Sequence, residues 1–442
     1  MRSTRGWRAA TERYMQLASL MAVVGALGWL AGATLAVSPA SAMTGSVYVG
    51  DLEGNTFSQF GIGAGGLLTA LSPATVENET KSFALAASPD GESVYVADKE
   101  DGKVSQYSVG VGGLLSPKSP ASVPAGTNPW SVAVSPNGES VYVVDYGEEK
   151  ISQYSVGAGG VLEPKSPQTV KTGSDPWGII VSPNGESVYV ADNGEDKISQ
   201  YNVGAGGELE PKSPAQVLTG SGPEELAISP NGSSVYVVDY GESKIAQYNV
   251  GAGGLLEPKA LGVVSTGSGT EPEGIAVSPD GTSVYTGDVD GKISQLSVGA
   301  EGSLEPKSPL TVASALDTPT LAIAPDGKSL FAANYGSESP GEEVSQFAIG
   351  AGGLLSLESP ATIGSTPEAH GIVVLPDPGR WRRSPRRRGF PVRRRASTRR
   401  DRATPTEPWS FTTGASATES PRPTAARSPP TPMPLPGPTR SR

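Results

Sequence analysis

The chain contains no cysteine, which removes disulfides, thiolate nucleophiles and cysteine-ligated metals together. Histidine occurs once, as His370, so no histidine pair exists to hold zinc. Arginine is missing from residues 43–379, although four stand before that stretch and 16 after it. No planar guanidinium fork is therefore available there to grip a phosphate or carboxylate in two places. Tryptophan is scarce in the same stretch, at Trp130 and Trp177 only. No Gly-x-Ser-x-Gly elbow and no phosphate-cradling loop is found.

What is present divides into three segments by charge. Residues 43–379 carry 14 lysines against 41 acidic residues, a net of −27. Nucleic acid and anionic lipid would be repelled by such a segment, so neither is expected as its partner. Residues 1–42 begin with Arg2, Arg5, Arg8 and Arg13, continue through an apolar run from Leu17 to Val37, and end at Ala40-Ser41-Ala42. That order predicts a secretory signal peptide, and hence a secreted or cell-envelope protein free of the membrane after cleavage. The run is also long enough for an uncleaved anchor. Residues 380–442 hold 16 arginines and many prolines, with too few apolar residues for a core, and are expected to be disordered. This tail reads as a frame-shifted or eroded remnant, or else as a basic arm for cell-surface anions or for the acidic segment itself.

The middle segment repeats. Ser-Pro-Asp/Asn-Gly recurs from Ser88, Ser135, Ser182, Ser229 and Ser278, and returns as Ala324-Pro325-Asp326-Gly327. Each unit of about 47 residues holds four short apolar runs, exemplified by Trp130 to Val134, Ser140 to Val144, Ile151 to Val156 and the run from Val161. In the first turn Pro136 presets φ and Gly138 accepts a positive φ, which a tight hairpin needs. The fourth run, Leu-Glu-Pro-Lys-Ser-Pro, carries the proline and charge of an outer edge strand. The sequence starts on a second run near Ser46 and ends on a lone first run at Gly371 to Val374, so the last run can complete the first unit. These features predict an all-β, seven-bladed propeller over 43–379 with its ring closed by the C-terminal strand; a β-solenoid is the alternative.

Ser-Pro-Asp-Gly-Glu-Ser-Val-Tyr-Val-Ala-Asp (88–98), with Pro-Glu-Gly-Ile-Ala-Val (272–277), resembles the YVTN-type propeller repeat and the seven-bladed lactonase family, whose named activity is hydrolysis of 6-phosphogluconolactone. The resemblance spans about 43–376. It implies His, Arg and Glu side chains on the loops entering the first strand and leaving the second. Of these, only His370 and the glutamates have counterparts here.

Most positions of the unit are nearly constant, but the residue opening the first strand varies: Phe83, Trp130, Trp177, Glu224, Glu273, Pro319 and His370. In a propeller these residues ring one mouth of the central channel. Glu225 and Glu271 add to its acidic side. Aromatic faces and carboxylates together suit a small molecule, a glycan or a protein loop. Ordinary filling of the mouth is the bland reading. His370, oriented by Glu368 or Glu273, is the candidate general base. A second ring, Asp51, Asp98, Asp145, Asp192, Asp239, Asp288 and Asn334, could bind calcium, but its presence in every unit points to side chains capping their own turns. Seven glutamines in the third runs, from Gln59 to Gln346, suit repeated bonds between blades. The leading expectation is a monomeric binding propeller without chemistry or cofactor. A lactonase-like hydrolase and a structural envelope protein are the alternatives.

Overall fold

The computed structural model describes residues 43–376, apart from 53, 79–80, 268, 315–319, 336–343 and 365–368. The segments expected to be a signal peptide and a tail, 1–42 and 380–442, lie outside the described residues. The chain forms seven separate four-stranded antiparallel sheets, as the repeat predicts. Blade 1 combines Ala369–Pro376 with Gly45–Asp51, Thr56–Ile62 and Leu68–Glu77. Blade 2 is Ser82–Ala87, Ser93–Asp98, Lys103–Val109 and Leu115–Pro124. Blade 3 is Pro129–Val134, Ser140–Asp145, Lys150–Val156 and Leu162–Lys171. Blades 4 to 7 repeat the pattern from Pro176–Val181, Pro223–Ile228, Pro272–Val277 and Thr320–Ile323. The first strands touch one another in a closed cycle. Ring closure is the pairing of Tyr48 with Val373 and of Val49 with Ile372.

The second strand of each blade is buried along its whole length; Ser140–Asp145 is one example. Neighbouring blades cover both of its faces, which is why its sequence runs Val-Tyr-Val-Val without polar alternation. Apolar clusters form between blades. Tyr142 and Val144 of blade 3, for instance, pack with Ile179, Val188 and Val190 of blade 4.

Two side chains repeat a clasp from blade to blade. The Tyr95 hydroxyl donates to the Gly160 carbonyl of the next blade at 2.9 Å, and Gln106 Oε1 accepts from the Leu162 N–H at 2.9 Å. Gln106 Nε2 donates to Pro120 of its own outer strand. The same glutamine bond joins blade 7 to blade 1, from Leu68 N–H to Gln346 Oε1 at 2.8 Å. Three of the Gly-Ala-Gly-Gly hairpins close as single 3-10 turns, Ala158–Gly160 among them. Gly160 has φ +73 there, and a Cβ would strike Ser93 Oγ.

Candidate functional site at the channel mouth

The repeat places the opening residues of six first strands at one end of the channel. There a cavity of about 210 Å³ is lined by Phe83, Trp130, Trp177, Glu224, Glu273 and His370, with Glu225 one residue further along its strand. Below them Leu85, Val132, Ile179, Ile275 and Ile372 make an apolar floor. Pro319 and Glu368 lie outside the described residues. Glu271 is exposed and sits outside the cavity, accepting a hydrogen bond from the Tyr240 hydroxyl at 3.0 Å.

One wall is a run of rings across four successive blades. The centroids of His370 and Phe83 are 4.1 Å apart, those of Phe83 and Trp130 3.9 Å, and those of Trp130 and Trp177 4.9 Å. Blades 5 and 6 supply the facing carboxylates. The site is therefore polarised, with rings on one side and acids on the other.

His370 Nδ1 lies 3.2 Å from the Phe83 carbonyl oxygen. A carbonyl only accepts, so this bond places the proton on Nδ1 and leaves the Nε2 lone pair for another partner. The group on Nδ1 is thus a backbone carbonyl, where the sequence suggested a carboxylate. Burial is the main cause that pushes the His370 pKa from 6.5 to about 4, and the charge of Lys99 adds to it. The imidazole is neutral at physiological pH. Glu225 moves the other way. Burial over the apolar floor raises its carboxyl to about 7, against the Leu226 backbone N–H, which favours the ionised form.

Sequence reasoning missed a second tier at the mouth. The residue after each member of the aspartate ring also varies: Leu52, Lys99, Tyr146, Asn193, Tyr240, Val289 and Tyr335. Short 3-10 turns, Tyr146–Glu148, Asn193–Glu195 and Tyr240–Glu242, follow three of these aspartates. Tyr146 then packs on Trp130 at 5.1 Å and Tyr335 on His370 at 6.2 Å, while Lys99 Nζ stands 4.0 Å over the Trp130 ring. Variation between repeats, the signal that revealed the inner ring, marks these positions equally.

The aspartate ring is buried inside the blades, each member in a different one. Asp145 accepts from Ser152 Oγ of the third strand at 2.6 Å and from the Gly126 N–H at 3.0 Å. Asp98, Asp192 and Asp288 take the equivalent serines, Ser105, Ser199 and Ser294. These partners lie across the blade, whereas the expected cap on its own turn occurs at Asp51, bonded by the Gly54 N–H. Among the described residues no three or more acidic or histidine side chains gather as a metal site. No described helix is long and apolar enough to cross a membrane.

Comparison with known proteins agrees with this architecture. Residues 46–339 match the family model for lactonase, 7-bladed beta-propeller. A proposed 6-phosphogluconolactonase from Bacteroides fragilis is 18% identical with a TM-score of 0.65, covering 76% of this chain and 99% of its own. The periplasmic gluconolactonase of Pseudomonas aeruginosa is 19% identical with a TM-score of 0.62, covering 75% and 99%. A proposed 6-phosphogluconolactonase from Bacteroides uniformis is 21% identical with a TM-score of 0.65, covering 75% and 99%. No curated protein matches. The solved structures share the fold at low identity, and the family match spans most of the ring: the chain belongs to the seven-bladed lactonase propeller family.

Proposed function

We propose that this protein hydrolyses a small, unphosphorylated lactone at the channel mouth, outside the cytoplasm. Family membership supports this hydrolytic reading over a binding module without chemistry. The observation that carries it is Glu225, a carboxyl held near pH 7 in the same cavity as a tautomer-fixed, neutral imidazole. Glu225 is suited to take a proton from the attacking water, because a base works best with a pKa near the working pH. His370 Nε2 accepts a hydrogen bond from a ring hydroxyl and orients the substrate. Trp130 and Trp177 provide the stacking face. A cavity of about 210 Å³ suits a single ring, being smaller than the roughly 300–1,000 Å³ of sites for drug-sized ligands. With no arginine in 43–379, a phosphate would find no bidentate partner.

The test is proton release from a panel of plain lactones by the full chain, with Glu225→Gln and His370→Ala beside it. Glu225→Gln is expected to lose about 10²–10⁴ in kcat. In the wild type, kcat/KM should fall below pH 7 as Glu225 takes up its proton, and this acid limb should vanish in Glu225→Gln. Equal turnover in all three proteins would remove the site from the chemistry.

A further inference from the structure

Ester hydrolysis builds negative charge on the carbonyl oxygen, so a lactonase without arginine at its mouth must stabilise that charge in another way. Lys99 is the one basic residue among the positions that follow the second strands. Its Nζ lies 4.0 Å over Trp130 and 5.0 Å over Phe83, at the lip of the cavity those rings line. The lysines that open the third strands are tied to carboxylates two residues earlier, as in Lys150–Glu148 at 2.9 Å and Lys197–Glu195 at 2.9 Å. Lys81, the other lysine near this lip, is tied to Glu100 at 3.2 Å. Lys99 has no ion-pair partner among the described residues. Its ammonium is held over the ring wall, and its donors can turn toward a ligand lying on that wall.

The rest of the mouth supplies the opposite pole. Lys99 stands on blade 2 beside the rings, whereas Glu225 stands on blade 5. A lactone spanning the channel would meet a proton acceptor on one side and a cation on the other. Attack on a carbonyl from one side moves charge to an oxygen that points elsewhere, so the two roles belong on different walls.

Resting on the lactonase reading, we infer that Lys99 is a catalytic residue, whose ammonium donates to the carbonyl oxygen of the lactone and stabilises the oxyanion. Water oxygen bonds to the carbonyl carbon, and the C=O π pair moves onto the oxygen facing Lys99. The water proton passes to Glu225. When the intermediate collapses, the C–O bond of the ring breaks and its electron pair leaves on the ring oxygen. That oxygen takes the proton back from Glu225. The product is the open hydroxy acid, and Lys99 stays protonated throughout. Burial also lowers the Lys99 pKa from its ordinary 10.5, so an alkaline limb belonging to this residue should lie below that value.

The experiment compares the wild-type full chain with Lys99→Met and Lys99→Arg on the plain lactone that the wild type turns over fastest. Spontaneous opening is subtracted, and a thermal melt confirms that each variant folds. Lys99→Met is expected to lose about 10²–10³ in kcat, as for removal of an oxyanion donor, with KM within about threefold. Lys99→Arg should recover most of that loss and shift the alkaline limb of the pH profile upward. A folded Lys99→Met that keeps wild-type kcat would reduce Lys99 to a packing contact on Trp130 and overturn this inference alone. No lactone turnover by the wild type would overturn the inference together with the reading beneath it.

Discussion

At the scale of single residues, the repeat carries its own controls. Asp145 and Asp239 occupy equivalent positions and both are fully buried. Asp145 accepts from Ser152 Oγ, but the matching residue in blade 5 is Ala246, and Asp239 Oδ2 is buried without a partner among the described residues. Burial raises Asp145 to about 6 and Asp239 to about 7. Ala246→Ser should therefore stabilise the protein by about 1 kcal/mol, seen as a higher denaturation midpoint at pH 8. An unchanged midpoint would mean that the Asp239 carboxyl is already satisfied. Single residues were also where reading the sequence fell short. The inner ring was legible because identical units differ there. Lys99, Tyr146 and Tyr240 differ just as plainly, but each follows the aspartate at which the repeated strand ends. Their approach to the mouth depends on the turn that follows the strand, a 3-10 turn at Tyr146 and Tyr240 and a plain turn at Lys99, which no sequence period announces.

At the scale of strands and hairpins, the clasps between blades explain why the fold was readable from the repeat. The tyrosine in the middle of six second strands and the glutamine in each third strand stand out among the repeated positions. In the structure both reach the next blade: Tyr142 to Gly207 at 2.7 Å and Gln153 to the Leu209 N–H at 2.7 Å. Propeller stability is therefore shared among similar interfaces, with the largest departure at one seam. At the seam between blades 7 and 1 the tyrosine is replaced by Phe331, and the outer-strand lysine by Glu358. Blade 1 has Leu71 at that position, and in blades 2 to 6 the lysine bonds the neighbouring hairpin, as Lys165 does to Gly206 at 2.6 Å. The seam keeps the Gln346 bond and an apolar cluster that includes Val47, Phe60, Phe331 and Ile372. Phe331→Tyr should supply the missing bond to the Gly66 hairpin and stabilise the ring by about 1 kcal/mol. A lower melting temperature in that variant would show that the seam has no room for the hydroxyl.

At the scale of the whole molecule, the buried aspartates set the dependence on pH. Burial lifts Asp98 and Asp145 to about 6 and Asp239 and Asp288 to about 7, from an ordinary 3.8. Between about pH 4 and 7 the folded chain holds protons that an unfolded chain has released. Their contribution to stability is full below about pH 4 and is lost as pH rises through 6 to 7. Exposed acids run in the opposite direction. Glu148, Glu195 and Glu242 are held below their ordinary 4.5 by neighbouring lysines, so their smaller contribution is lost on further acidification. The ring should melt at a higher temperature at pH 5 than at pH 8, and the reverse order would contradict the burial argument. The same excess of acid over base governs what enters the mouth. With 14 lysines against 41 acidic residues over 43–379, an anionic substrate approaches against the field. The most direct test of the account is therefore kcat/KM for a plain sugar lactone beside its 6-phosphorylated form, with the full chain at neutral pH. Turnover of both is expected, with the plain lactone favoured by at least about tenfold, or roughly 1.4 kcal/mol. A preference for the phosphorylated form, or no turnover of either, would contradict it.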